Sequence, residues 1–569
     1  MKIASYPVLD FSGGVHRDKS FFDFRKNELL DARNVEINEE GRIKTRRGSF
    51  QVGQTLSGNI ENSFLFQRSA ATPVTTFIVN NNATTGVFSR FLSGQLSTAI
   101  TTASTEIALV AAVSGFTASG TIEIEGDLIA YTGGGTGTTL TGVTGITSSH
   151  SAGVAVNQWL TVTQSGSAVD GRRGIYYAVI NNALIINSRG GDWKAIDNDD
   201  GITMTDLSGE PTALFVTNYR DRLYAAGEIS NQNRTFFSNR GTGLTWTTAT
   251  DFFDAEDQRG EPITGYRVLS DRLGIFKVNS IFTYDEVELK QRLSGVGAYS
   301  HKVPKEINGL IYTFCPSGIF ATNLFSAKQI GDPVKQYWKN FQPTYDTVSG
   351  SGYGRVITNT FAGVFEQYYL LYIHDVTDPN TTTDVVLAYD TIKKIWTVYT
   401  GGFTNFFHLN GFENFRYGGR ANQFYSSLWG GNDGGQMFRF FDYNFVDINQ
   451  VKQEGDVFPD LLSNTGSPVS ALIETPLYDL THPELFKKFN RIRVYTEQGR
   501  WNFEYRVHDD KGIGQYKNLG SVDKPIDFLR FPKEAQGYRV GFRITSANTA
   551  AQSIFNGFVL EDTEVISRQ

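Results

Sequence analysis

The chain has a single cysteine, Cys315, and three methionines in 569 residues. One cysteine excludes an intrachain disulfide and a cysteine-based zinc site. Cys315 lies in the apolar run LIYTFCPSGIF with no base beside it, which reads as a small buried hydrophobe and not a nucleophile. No apolar run of about 18 residues occurs, so no membrane-spanning helix or membrane insertion is expected. The N-terminal MKIASYPVLDF lacks an apolar stretch of signal-peptide length, so the expectation is a chain made, and at first kept, in a cytoplasm. A basic excess is also missing: 52 Lys and Arg stand against 59 Asp and Glu, a net charge of -7, which argues against a tight non-specific grip on nucleic-acid phosphates. HExxH, P-loop and GxSxG motifs are absent, and the histidines at 16, 150, 301, 374, 408, 482 and 508 are dispersed. The expectation is therefore a non-enzymatic chain with no catalytic residues, cofactor or metal.

What is abundant is aromatic residues and glycine: 43 Phe, 26 Tyr and 58 Gly. Aromatics suit half-buried strand faces and Gly suits the turns between them, so the composition points to all-β structure. Between about 170 and 450 a strand–turn–strand unit recurs: 182–197, 222–239, 272–286, 309–323, 368–390 and 423–442. Such a hairpin cannot bury both faces alone, whereas radial stacking of neighbours does, which is the logic of a β-propeller. Six units are readable, and ENSFLFQRSAATPVTTFIVNNN at 61–82 is a candidate seventh, giving about six to eight blades.

The predicted division is an N-terminal arm at 1–55, a first propeller segment at 56–96, an inserted Thr/Gly-rich β-module at 97–158, the propeller proper at 159–460, and a C-terminal β-sandwich at 461–569. Sandwich strands are expected at ALIETPLYDL, FNRIRVYTEQ, WNFEYRVHDD, GYRVGFRITS and FNGFVLEDTEV. Short helices are expected at PVKQYWKNF and PELFKKF.

Several clusters invite chemistry. Arg42, Lys44 and Arg46 share a strand face, with Arg47 beside them, and suggest a nucleic-acid patch; the preferred reading is a solvated or interface face answered by Glu36, Glu39 and Glu40. Glu123, Glu125 and Asp127 suggest calcium, but alternating carboxylates on a strand lack calcium-loop spacing and read as solvated, while DNDDG at 197–201 reads as a turn. The acidic loop with Asp251, Asp254, Glu256 and Asp257 suggests a glycosidase pair, the alternative function being a glycan-binding or glycan-cleaving propeller. SNRGTGLTWTTATDF resembles a sialidase Asp-box turn with Arg240 in place of the Asp, and Trp246 reads as a blade-turn anchor.

Three stretches resemble the tail nozzle, tail tubular B and head-completion propellers of short-tailed bacteriophages. They are DARNVEINEEGRIKTRRG, in which Arg47 stands where some members have Pro; GYRVLSDRLGIFKVNSIFTYDE with GVGAYSHKVPKEINGLIYTFCPSGIFATN; and the Thr/Gly-rich insert, which looks like a small module of phage tail and fibre proteins. The resemblance implies a virion tail protein assembled in the host cytoplasm. It implies a homo-oligomeric ring of six copies, a connector or adaptor ring above, tail fibres or spikes alongside, and transient passage of genomic DNA.

Overall fold

The structure, a computed structural model, describes residues 2–566 apart from 68–74, 81–85, 167–168, 170–174, 188–192, 198–202, 345–359, 401–408, 419–423, 441–468, 548–552 and scattered breaks of one or two residues. The boundary expected at 460–461, His408 and most of DNDDG lie outside the described residues.

The molecule is all-β, and its centre is a β-propeller. Among the described residues, seven blades of four strands follow one another, the second with Thr163–Gln164 added in parallel at its outer edge. The first is Asn62–Gln67, Thr75–Asn80, Phe88–Gln95 and Ala155–Thr161. The second is Tyr176–Ile180, Ala183–Asn187, Lys194–Ile196 and Thr203–Asp206. The third is Phe215–Tyr219, Arg222–Ala226, Arg234–Phe237 and Phe252–Asp254. The fourth is Ile263–Leu269, Arg272–Lys277, Ser280–Tyr284 and Leu289–Ser294. The fifth is Lys305–Ile307, Leu310–Cys315, Gly318–Thr322 and Ala327–Gln329. The sixth is Thr360–Phe365, Tyr368–Asp378, Thr381–Asp390 and Ile395–Tyr399. The seventh is Leu409–Gly418, Phe424–Asn432 and Met437–Phe440, completed by Ser49–Gln51 from the N-terminal region. The first strand of each blade touches that of the next, and the seventh's touches the first's, so the inner strands form a closed cycle. The six hairpins legible in the sequence are the second and third strands of blades two to seven.

The insert leaves blade one between its third and fourth strands. Its hairpin, Gly120–Ile124 with Asp127–Tyr131, extends the blade's sheet through the pair Glu123↔Asn157. It has its own apolar core, including Ile107, Ile122, Ile129 and Leu140.

The sandwich contains all five expected strands, as Ser470–Glu474, Arg491–Gln498, Trp501–Asp509, Arg539–Ala547 and Ile554–Glu561. The arm is built into it. Tyr6–Val8 and Ile43–Thr45 pair with Ile554–Glu561, while Val35–Ile37 pairs with Ile43–Thr45. Asp31–Arg33 lies between Ser470–Glu474 and the outer strand of blade six, with Arg33 paired to both Leu472 and Val398. One apolar cluster consequently runs from Phe11 and Ile43 in the arm through Trp396 of blade six to Trp501 and Phe558 of the sandwich.

The motif DARN holds this junction. Asp31, buried, accepts from Arg17 Nη2 (2.9 Å), Arg33 Nε (2.7 Å) and the Tyr337 hydroxyl (3.2 Å). Asn34 adopts a left-handed backbone (φ 56°), which Asn tolerates better than most residues. Its Nδ2 donates to the Ser470 carbonyl (2.9 Å), and its Oδ1 accepts from Arg46 Nε (3.0 Å) and the Thr400 amide (2.8 Å). Arm, blade six and sandwich therefore meet at one side chain. Asn34→Ala is expected to lower stability by about 3 kcal/mol, from lost buried hydrogen bonds and the left-handed strain. A urea titration measures it, and an unchanged midpoint would contradict the junction role.

Two expectations need correction. PELFKKF is not helical. Lys487–Lys488 is a short strand, and the buried Lys487 ammonium donates to the carbonyls of His482, Leu485 and Tyr538, which fixes a turn instead. Arg46 is not on a solvated face. It is buried on Asn34, while Arg42 pairs with Glu40 (2.8 Å) and Glu497 (2.5 Å). The helix at PVKQYWKNF is present as a 3-10 turn, Asp332–Val334, followed by Lys335–Trp338.

Candidate functional site

The inner strands converge on an axial cavity of about 360 Å³. Tyr177, Thr217, Arg267 and Phe361 reach it from the first strands of blades two, three, four and six. Lys302 reaches it from the connection into blade five, and Lys305 from that blade's first strand. No carboxylate lines it among the described residues.

The lysine-bearing connection is fixed from beneath. The His301 ring is buried, stacked on Phe215 (centroids 5.4 Å apart) and edge-on to Tyr176 (5.0 Å), and its Nδ1 accepts from the Tyr266 amide (3.1 Å). Burial first, then the charges of Arg267, Lys305 and Lys302, hold His301 well below its usual pKa, so it is neutral. Arg267 donates to the carbonyls of Pro304 and His301 (3.2 Å for the latter). Gly265 lets the connection approach: a Cβ there would lie 2.7 Å from the His301 Cα.

Two of the acidic loop's four carboxylates are tied into ion pairs. Asp254 is held bidentately by Arg234 (2.9 and 3.1 Å). Asp257 sits against Ser280 (3.1 Å) and buried Lys277 (3.5 Å). Burial would raise the Asp257 pKa, but Lys277, the Glu261 amide and Ser280 outweigh it and lower it, the opposite of what a general acid needs. Trp246 packs edge-on against Trp193 of the neighbouring blade, 5.4 Å between centroids, as an anchor does. Cys315 is buried, and burial raises its thiol pKa, which suits an inert side chain.

The insert's acids are not a solvated row. Glu123 is buried and accepts from Asn157 Nδ2 (2.7 Å). Glu125 and Asp127 grip the buried His150 ring from both sides, with Nδ1 2.8 Å from Glu125 Oε2 and Nε2 3.0 Å from Asp127 Oδ2. The Thr147 and Ser148 amides also donate to Asp127 (2.8 and 2.9 Å). This clamp is legible in hindsight: residues 97–158 contain no Lys or Arg, so His150 is the insert's one possible cationic side chain. Among the described residues, no group of three His, Cys, Asp or Glu side chains is arranged to hold a metal ion.

The clamp gives a pH window. Burial alone would lower the His150 pKa, but the hydrogen bonds and charges of Glu125 and Asp127 raise it above 6.5. Burial alone would raise Asp127, but Thr147, Ser148 and His150 lower it from 3.8 to about 2. A raised histidine contributes fully below its unfolded pKa and loses that contribution as pH rises through the folded one. A depressed carboxylate contributes above its unfolded pKa and loses that as pH falls through the folded one. The clamp is therefore at full strength between about pH 4 and 6.5 and fades on either side. NMR titration of His150, assigned with His150→Gln, is expected to give a pKa above 6.5; a value below it would contradict the clamp.

Neither a search of family models nor one of curated proteins found a match. Among solved structures, the extracellular domain of a one-component system from B. thetaiotaomicron aligns at TM-score 0.34 and 9% identity, over 95% of this chain and 64% of that one. The chain thus spans less than two thirds of that protein's length. The N-terminal domain of Nup159 aligns at TM-score 0.29 and 8% identity, over 72% of this chain and 98% of that one. Sqt1 of Saccharomyces cerevisiae aligns at 0.24 and 10%, over 47% and 94%. Likenesses this distant carry no functional information.

Proposed function

We propose that the protein is a structural ring component of a bacteriophage tail, of the nozzle or hub kind, and not an enzyme. The phage resemblance supplies the class. The observation that supports ring formation is an apolar patch at the edge of the sandwich. The strand Ile526–Arg530 ends its sheet and exposes Ile526 (57%) and Phe528 (44%). Phe528 lies over the guanidinium groups of Arg491 and Arg493, each 5.0 Å from the ring centroid, and both arginines pair with Glu561 (2.9 and 2.7 Å). An aromatic anchor held rigid over fixed arginines has the character of an interface hot spot. A closed ring needs such a patch to meet a different surface on the next copy.

In this reading the DNA conduit runs between subunits of the ring and not through a propeller. An acidic chain suits such a wall, because like charge keeps DNA from adhering in transit. In the assembled tail the ring would sit in the virion below a connector or adaptor ring, six copies strong, beside fibres or spikes. Mass photometry of the full chain, alone and with its connector, tests the reading. A species at six times the 63.2 kDa monomer is expected, and monomer alone under both conditions would count against it.

A further inference from the structure

We infer that Lys277 and Asn233 join in an intramolecular amide bond, formed with loss of ammonia, that welds blade three to blade four. This goes beyond the ring reading and does not depend on it. Lys277 ends the second strand of blade four, and Asn233 stands just before the third strand of blade three. Lys277 is fully buried, and its Nζ lies 2.9 Å from Asn233 Oδ1 and 3.5 Å from Asp257 Oδ2. The Asp257 side chain is only 4% exposed. An amine, a carboxamide and a carboxyl group therefore meet in one shielded place, with the Phe282 ring centroid 5.4 Å from Nζ. A carbonyl carbon lies about 1.2 Å from its oxygen, so an amine touching the oxygen is close to attacking distance of the carbon. Burial lowers the Lys277 pKa against the charge of Asp257, which favours the neutral amine that attacks.

The step balances without an oxidant or a co-reactant. Asp257 takes a proton from the Lys277 ammonium, which turns a buried ion pair into a neutral pair. With the Lys277 charge gone, burial raises the Asp257 pKa, and the carboxyl becomes a proton donor. The free Nζ attacks Asn233 Cγ; the Nζ–Cγ bond forms and the Cγ–Nδ2 bond breaks. The two protons lost from Nζ pass through Asp257 to the departing nitrogen, which leaves as ammonium, and Asp257 ends as a carboxylate again. Ser280 Oγ (3.1 Å) and the Glu261 amide (3.2 Å) hold that carboxylate in place. The bond ties residues 44 apart in sequence, and such a cross-link restricts the unfolded chain as a disulfide would, in a chain with one cysteine.

Tryptic mapping of the folded, purified full chain by mass spectrometry tests this. Acylated Lys277 is no longer a cleavage site, so residues 223–234 and 273–290 are expected in one branched peptide. It should be lighter than the sum of the two by about 17 Da, the mass of ammonia. Asn233→Ala and Lys277→Met are each expected to abolish the branched peptide, and Asp257→Ala to cut its yield about tenfold or more. Recovery of 223–234 at full mass, together with cleavage after Lys277 in the wild type, overturns the inference. A branched peptide that survives Asn233→Ala overturns it equally, and full yield in Asp257→Ala overturns the part given to Asp257. The wild-type map decides whether the bond exists even where a variant does not fold.

Discussion

A chain lacking residues 1–55 is expected to lose its fold, although the deletion removes no complete blade. Three structures depend on that segment. Ser49–Gln51 supplies the fourth strand of blade seven, against Met437–Phe440. Without it the last blade keeps an open outer edge. Val35–Ile37 and Ile43–Thr45 form one side of a sandwich sheet, and Asp31–Arg33 links the other sheet to blade six. Val8, Phe11, Leu29, Val35, Ile37 and Ile43 are all buried in the shared core. At roughly 1.5–3 kcal/mol for each large apolar side chain, their loss matches or exceeds the whole stability of a typical domain, about 5–15 kcal/mol. Circular dichroism should show no cooperative melt, and most of the product should be insoluble. A soluble truncated chain that melts cooperatively would mean the arm is an accessory.

The second large effect is expected from Ile526→Asp combined with Phe528→Asp, which should convert rings into monomers. Both side chains are substantially exposed, so the fold should tolerate the change to within about 0.5 kcal/mol. Replacing a central aromatic anchor costs on the order of 2 kcal/mol or more per interface, and a buried carboxylate there adds to that. In a ring every subunit carries the altered contact, so the loss is repeated at each junction. Unchanged melting with loss of the ring in mass photometry is the expected result. Rings of wild-type mass would move the lateral interface elsewhere on the molecule.

How far the sequence carries the fold is set by range and by turn chemistry. The central hairpins of blades two to seven are legible because their strands are apolar, adjacent and joined by polar turns. The first strand of each blade is harder to see, because the turn after it often lacks a recognisable signal. Asn308 and Gly309 form one such turn with residues that favour left-handed backbone, but Arg220, Asp221, Ser270 and Glu366 also take positive φ in the equivalent turns. Outer strands such as Ala327–Gln329 are short and exposed and leave little apolar pattern. The union of arm and sandwich is invisible locally, since Ile43 pairs with Phe555 and Asp31 with Glu474 across most of the chain. The cluster Arg42, Lys44, Arg46 misleads for the same reason: periodicity gives the shared face, but the partner that buries Arg46 on Asn34 is set by tertiary packing.

The axial site follows the same rule. Arg267, Lys302 and Lys305 all lie in the stretch that carries the phage resemblance, yet nothing in their spacing announces a cavity. They meet because successive blades bring their first strands to one axis. The His150 clamp was reachable by charge accounting within the insert, whereas the cationic rim required the closed circle of blades.

Electron microscopy of the purified full chain mixed with its connector ring tests the central proposal most directly. The account predicts closed rings with an open bore bounded by several subunits, each propeller keeping a narrow axis of its own. Particles that remain single propeller–sandwich units at every concentration, with no ring on the connector, would contradict it.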